Sequence, residues 1–252
     1  VFHAAAYKHV PMQEEHPWEA VFTNIQGTMN LMDASEDYAV ERFVLVSTDK
    51  AVNPTNIMGA TKRVAEKLIQ SKSIDSNVKY MAVRFGNVIG SSGSVIPTFQ
   101  EQIRNGGPVT ITNPKMQRYF MSISEAAQLI LQAGAMGSGG EVYVLDMGNP
   151  VDIKDIAYEL IRLSGLEPEK DIYIEYIGSR PGEKLYEELQ TNDENILDTD
   201  HEKIFMMKNE NGYNWDHLQG KVDEVTSSAK LYDINKVMDS LKTFVPEYVP
   251  DY

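Results

Sequence analysis

Apolar and polar positions along the first half of the chain fall into two alternating signatures. Val1 to Ala5 is a short apolar run ending in small residues, followed by a Lys/His/Pro loop that contains Lys8. From Pro17 to about Ser35 the apolar residues Val21, Ile25, Met29 and Met32 recur at three- and four-residue steps, and Pro17 suits a first helical turn, so a helix is expected. Phe43-Val44-Leu45-Val46 is a buried-strand run that ends at Ser47-Thr48-Asp49-Lys50, with Asn53-Pro54 marking a turn. A second helix to about Ser73 carries Ala60, Val64 and Leu68 on one stripe, and Tyr80 to Phe85 reads as the next strand. This rhythm predicts a parallel α/β sheet, in which ligands bind beyond the carboxyl ends of the strands.

Past residue 88 the pattern loosens. A Gly/Ser loop at Gly90 to Gly93 is followed by expected helices at Ile96 to Arg104, Ser124 to Ala135 and Ile153 to Ser164, the last introduced by Asp152. Strands are expected at Val109 to Ile111, Val142 to Leu145 and Ile172 to Ile177. The expected fold class is therefore a doubly wound, Rossmann-like parallel sheet with a smaller substrate-binding lobe. Residues 1–90 form the expected dinucleotide-binding half, residues 91–195 a mixed lobe whose strands return to the sheet, and residues 196–252 an acidic, surface-wrapping tail of weak periodicity.

Composition narrows the chemistry. The 252 residues carry a formal net charge of -14, which argues against a nucleic-acid partner, because a polyanion binder needs a basic face. There is no Cys, and the five His show no paired ligand spacing, so no metal site is expected. No apolar run is long enough to span a membrane, and no secretory signal opens the chain, so a cytoplasmic location is expected. The opening at Val1 reads as mid-strand, so the natural chain is expected to begin earlier, with any membrane anchor in that longer parent.

On an acidic protein, isolated cations become informative. Ser47-Thr48-Asp49-Lys50 packs two hydroxyls, a carboxylate and an amine beyond a strand end. Asp49 and Lys50 could act as acid and base if burial raises the first pKa and neighbouring cations lower the second; simple capping by Asp49 or Ser47 is the competing account. Met58-Gly59-Ala60-Thr61-Lys62 puts Met58 and Lys62 one turn apart on a helical face, although a core Met with a solvated Lys would give the same spacing. Arg84, Arg118 and Arg180, the last in Arg180-Pro181-Gly182-Glu183-Lys184, are fork-shaped donors suited to a diphosphate. Gly86-x-x-x-Gly90-x-x-Gly93 is not read as a phosphate loop, since its spacing is wrong and no clear helix start follows.

Together with His3-Ala4-Ala5-Ala6, Thr23-Asn24-x-x-Gly27-Thr28, Arg84-Phe85-Gly86-Asn87-Val88 and Gly93-Ser94-Val95-Ile96-Pro97, these motifs make residues 1 to about 207 resemble the bacterial polysaccharide-biosynthesis dehydratases that act on UDP-N-acetylglucosamine. The resemblance implies tightly bound NAD, transient oxidation at sugar C4, loss of water across C5 and C6, and return of hydride to C6. It makes Asp49 the acid at the C6 hydroxyl, Lys50 the base at C5, and Thr48 a partner of a sugar hydroxyl. Lys62 would hold the nicotinamide ribose, Ala4, Ala5, Asn24 and Ser47 would line the cofactor, and Asn87, Arg118, Arg180 and Glu183 would take the UDP end, with Lys8 also on the substrate side. A UDP-sugar and a second copy of the chain are the partners expected.

Two departures qualify this resemblance. Short-chain dehydrogenases have Tyr-x-x-x-Lys, whereas Met58 stands here and its thioether cannot accept a proton, so C4 deprotonation falls to Asp49 or an ordered water. A branch of the dehydratases is similar in carrying Met there. The Gly-rich segment that grips the pyrophosphate is expected upstream of Val1, so poor NAD binding is expected of the chain as written. Rival readings are a UDP-sugar 4-epimerase of the same fold, which needs no C5 base or C6 acid, and a non-catalytic dinucleotide-binding module.

Overall fold

The computed structural model describes residues 1–191, 196–207 and 214–250. Its central sheet has six strands, in the spatial order Phe2–His3, Arg42–Val46, Lys79–Arg84, Val142–Leu145, Ile204–Met207 and Ile196–Asp198. The first four run parallel and the last two are antiparallel additions. This is the Rossmann-like architecture expected.

Alternation along each strand splits the core into two layers, as the two-residue period of a pleated strand requires. Phe43, Leu45, Tyr80, Ala82, Val142 and Val144 face the helical segments within 17–37 and 57–72. Val44, Met81, Val83, Tyr143 and Leu145 face the opposite layer, where Ala126, Leu129 and Ala133 of helix Ile123–Met136 cover them. A separate cluster forms the smaller lobe: Phe99 and Ile103 of helix Val95–Arg104, Ala157 and Ile161 of helix Ile153–Leu163, and Val109 and Ile111 of a two-stranded parallel sheet completed by Ile174–Tyr176.

The stretch from Pro17 to Asp37 is helical but not uniform: a π-helical turn occupies Val21–Gln26. Asn24 sits in that turn, and its own carbonyl accepts from Thr28 Oγ1 at 2.8 Å. A π-turn inserts one residue into the ladder and re-aims its neighbours, which is why such turns gather at functional sites.

The tail departs from expectation. Instead of wrapping the surface, it supplies the two antiparallel strands and two helices, Trp215–Ala229 and Ile234–Phe244, whose Leu218, Val222, Val225, Val237, Leu241 and Phe244 enter the main core. Residues 192–195, 208–213 and 251–252 of that tail lie outside the described residues. Helix Ile57–Lys72, packed against the 49–51 turn, the helical segments within 10–26, strand 79–84 and these two helices, is so enclosed that, within it, only Arg63 and Lys72 are not buried. Glu247, just beyond them, bonds Arg63 Nε at 2.8 Å and lies 3.1 Å from Lys67 Nζ.

Helix 57–72 in turn starts hard against the end of strand 42–46. Asn56 caps it, accepting from Gly59 N–H at 2.7 Å. A Cβ on Gly59 would stand 2.1 Å from the Lys50 carbonyl oxygen, so only glycine allows the helix this close to the 49–51 turn.

About two turns further in, Glu66 is wholly buried and joined to wholly buried Arg84 by two bonds, Nε to Oε1 at 2.8 Å and Nη2 to Oε2 at 2.7 Å. Burial alone would raise the Glu66 carboxyl, but Arg84, Arg63 and the Ser47 hydroxyl outweigh it and hold the pKa down at about 2. A carboxyl depressed on folding lends stability that is full above its unfolded pKa, near 4.5, and is lost as pH falls toward 2. Glu66→Gln is expected to cost about 3–5 kcal/mol at neutral pH by stranding Arg84. It should also flatten the acid dependence of stability below pH 4.5; urea denaturation across that range measures both.

Candidate active site

Beyond the end of strand 42–46 the chain turns through a short 3-10 helix, Asp49–Ala51. Thr48, not Asp49 or Ser47, caps it, accepting from Lys50 N–H at 3.4 Å. The carboxylate is thus left for side-chain partners. Asp49 is 0% exposed, and its Oδ1 accepts from Thr48 Oγ1 at 2.9 Å and Lys50 Nζ at 3.0 Å. Its Oδ2 has no hydrogen-bond partner among the described residues.

A cleft of about 390 Å³ opens over this strand end. Ser47, Thr48, Lys50, Met58, Lys62 and Asn87 all line it, as do Ala4 and Lys8. Met58 and Lys62 therefore share a face turned to the cleft, rather than a core Met with a solvated Lys. Asp49 lies behind Thr48 and Lys50 and does not itself line the cleft. Gly86, which does, is closely packed on that side: a Cβ there would be 3.0 Å from Tyr119 Cβ and 3.3 Å from Asp49 Oδ2.

The two lysines of the cleft sit in opposite environments. Lys62 is buried with no hydrogen-bond partner among the described residues, and burial, only partly offset by Glu66 one turn on, pulls its pKa down to about 8. Lys50 is also penalised by burial, but the carboxylates of Asp49 and Glu187 outweigh that and the opposing Arg118, so its pKa is raised. The expectation that neighbouring cations would lower the Lys50 pKa is thereby corrected, because its nearest charged neighbours are acids.

Ser47 donates to Glu66 Oε1 at 2.6 Å, which commits its proton inward. The loop carrying Ala4 and Lys8 is held by Asn24, whose amide oxygen accepts from Tyr7 N–H at 2.8 Å and whose amide group donates to the Tyr7 carbonyl at 3.1 Å and to Thr61 Oγ1 at 3.0 Å. Asn24 is 1% exposed and lines no cavity wall, and Ala5 is exposed outside the cleft, so neither lines the cleft directly.

A second cavity of about 140 Å³ adjoins the first through Lys50, with Arg118, Arg180, Glu183 and Glu187 on its walls. The arginine set is only partly brought together. Arg84 is fully buried and spent on Glu66, so it cannot meet a ligand. Arg118 is also largely spent, donating to the carbonyls of Gln117, Lys184 and Leu185 at 2.6 to 3.1 Å. Arg180 is exposed on its turn, which Thr55 and Asn56 anchor by donating to the Gly182 carbonyl at 3.2 and 3.0 Å.

Several residues of the site escaped the sequence reading. Phe85, Gly86, Ser91, Gly93 and Ser94 line the cleft, and helix 95–104 starts directly after the glycine loop, where a helix was expected from Ile96 to Arg104. Glu66 could have been found from its spacing, since Met58, Lys62 and Glu66 lie at successive four-residue steps. Glu187 had no such signal, being one of several acids in its segment.

A parallel sheet whose strand ends open onto a cleft walled by Met58 and Lys62 defines a Rossmann-like α/β protein. The chain belongs to the polysaccharide biosynthesis protein family, whose model matches residues 1–209. It is 58% identical over 209 residues to the capsular polysaccharide biosynthesis protein CapD of Staphylococcus aureus, covering 82% of this chain and 35% of that protein. It is 57% identical over 194 residues to the probable polysaccharide biosynthesis protein EpsC of Bacillus subtilis (strain 168), covering 77% and 32%. The chain thus spans about a third of the length of these two relatives. Among solved structures, Pen from Bacillus thuringiensis superposes with a TM-score of 0.76 at 37% identity, covering 87% of this chain and 73% of that one. Among the described residues no helix is long and apolar enough to cross a membrane.

The environment of Lys62 can be read directly. In amine acetylation followed by mass spectrometry, Lys62 is expected to label with a midpoint near pH 8, against about 10.4 for an exposed lysine. A midpoint in the ordinary lysine range would mean that its burial leaves the amine unperturbed.

Proposed function

We propose that the protein is a nucleotide-sugar 4,6-dehydratase that uses NAD and acts on UDP-N-acetylglucosamine to give a UDP-4-keto-6-deoxy sugar for polysaccharide biosynthesis. The observation that carries this reading is the joined Asp49–Lys50 couple, with Lys50 on the same cleft as Met58 and Lys62. An epimerase needs only oxidation and reduction at one carbon, whereas elimination also needs one group to take a proton from C5 and another to give one to the departing C6 hydroxyl. Two bonded ionisable side chains beside the cleft suit that pair of transfers.

The cleft fits the nicotinamide end of the cofactor on its own chemistry. Lys62 Nζ is a buried donor with nothing to bond, and a pair of ribose hydroxyls would satisfy it. Ser47, with its proton committed to Glu66, offers only lone pairs to the cleft, and Ala4 leaves room beside it. Bound NAD supplies the hydride acceptor that allows transient oxidation at C4. Oxidation there acidifies the C5 proton, and Thr48, bonded to Asp49, would hold a sugar hydroxyl. Met58 has no exchangeable proton, so removal of the C4 hydroxyl proton falls to Asp49 or to water. Asn87, Arg180 and Glu183 would address the UDP end, with Lys8 and Arg118 nearby.

Incubation of the full-length parent protein with NAD and UDP-N-acetylglucosamine is expected to give a product lighter by one water in mass spectrometry. A product of unchanged mass with inverted C4 would make it an epimerase instead. Asp49→Asn should lower turnover by about 10²–10⁴-fold while leaving the thermal unfolding profile cooperative. If that variant turned over normally, the site would have no acid–base function.

A further inference from the structure

The segment from Arg180 to Glu188 is held on two sides. On one, Arg118 donates to the Lys184 and Leu185 carbonyls at 2.8 and 3.1 Å, and Gln117 N–H donates to the Leu185 carbonyl at 3.1 Å. On the other, Lys184 Nζ donates to the Val52 carbonyl at 3.0 Å. At the head of this segment residues 180–183 form a tight turn, closed by Glu183 N–H donating to the Arg180 carbonyl at 3.1 Å, with Gly182 at φ 72°. The turn carries Arg180 on the wall of the second cavity, and the guanidinium has no partner among the described residues.

Asn56 meets that turn and helix 57–72 with the two ends of one amide. Its Oδ1 caps the helix by accepting from Gly59 N–H at 2.7 Å, while its Nδ2 donates to the Gly182 carbonyl at 3.0 Å. Asn56 is 3% exposed, and the fit is close: a Cβ on Gly182 would stand 2.7 Å from Asn56 Cβ. Thr55 donates to the same carbonyl at 3.2 Å, from a half-buried position. Asn56 too borders the second cavity, but both ends of its amide are already committed. The amide is planar and holds its donor and acceptor at a fixed separation. The start of the helix that walls the first cavity with Met58 and Lys62 therefore sets the place of the turn that walls the second.

We propose that Asn56 is a positioning residue for the nucleotide: it holds the 180–183 turn so that Arg180 meets the diphosphate of a UDP-sugar whose reacting end lies beside Met58 and Lys62. This rests on the dehydratase reading, in which Arg180 takes the UDP end. Asn56 moves no proton and acts through Arg180, so its effect falls on affinity. Cap and tether are separable by chemistry. A serine oxygen can cap the helix but brings no nitrogen to the Gly182 carbonyl, and an aspartate caps equally well while turning an oxygen toward that carbonyl. The Arg118 and Lys184 contacts stay in place in either variant, so the rest of the segment keeps its anchors.

The test uses the full-length parent protein, with UDP titrated by calorimetry and KM and kcat measured for UDP-N-acetylglucosamine. Asn56→Ser is expected to weaken UDP binding and raise KM by about five- to tenfold, the worth of one hydrogen bond, with kcat within about twofold of wild type. Asn56→Asp should weaken binding at least as much, and serves if the serine variant does not fold. In an Arg180→Ala background, Asn56→Ser should weaken UDP binding no further, because a positioning effect vanishes with the group it positions. Unchanged UDP affinity in Asn56→Ser overturns the inference, as does a loss that adds in full to that of Arg180→Ala. So does an Arg180→Ala variant that binds UDP as wild type does, or a fall in kcat at unchanged KM, which would place the effect on Met58 and Lys62. Should wild type bind UDP but release no dehydrated sugar, the dehydratase reading fails, while the UDP titrations still decide what Asn56 does to Arg180.

Discussion

The buried carboxylate of Glu66 is the constraint from which the site takes its shape. A charge with no access to water must be surrounded by donors, and Glu66 draws them from three places: Arg84 on the adjoining strand, Arg63 on its own helix and Ser47 at the strand end. That demand fixes how helix 57–72 is rotated about its axis. Met58 and Lys62, earlier on the same face, are then turned toward the cleft as a matter of helical geometry. Through Arg63 the same network reaches Glu247, so the site and the C-terminal helices share one set of charges.

Against this fixed frame, the chain gives two lysines of one cleft opposite electrostatic surroundings. Lys62 meets burial with little compensation and Lys50 meets two acids. Groups whose environments drive their proton affinities apart can hold different duties in one small volume. A side chain with a loosely held proton and an empty coordination shell is suited to binding, and one clamped between carboxylates is suited to carrying charge.

Much of the fold was legible because its strands and helices obey simple periods. Phe43 to Val46 and Tyr80 to Phe85 read as strands of a parallel sheet, and the polar quartet at residues 47–50 fell beyond the strand end as the sheet rule requires. Local periodicity could not anticipate the π-turn at Val21–Gln26, in which Asn24 meets the backbone of Tyr7 across the fold. Nor could it tell Arg84 from Arg180. Both are arginines beside turn residues, and only the position of Glu66 in space consigns the first to the core. The tail was misjudged for a related reason: Leu218, Val222, Val225 and Ala229 keep helical spacing, but the polar residues between them, Asp223 and Glu224 on the outer face among them, dilute the pattern. Glu187 is visible as a functional group only because its segment folds back to the 49–56 turn, where Lys184 donates to the Val52 carbonyl at 3.0 Å.

The family match ends at residue 209, yet the helices that follow pack on helix 57–72 and complete its cover. Such a helix, flanking the sheet and rich in small and apolar residues, would otherwise be an adhesive stripe on the outside of the molecule. Here the protein wears its own cover. Any second copy that associates with it must find purchase elsewhere on its surface, or first prise the terminal hairpin away and with it the Glu247 contacts that lead inward to the strand end.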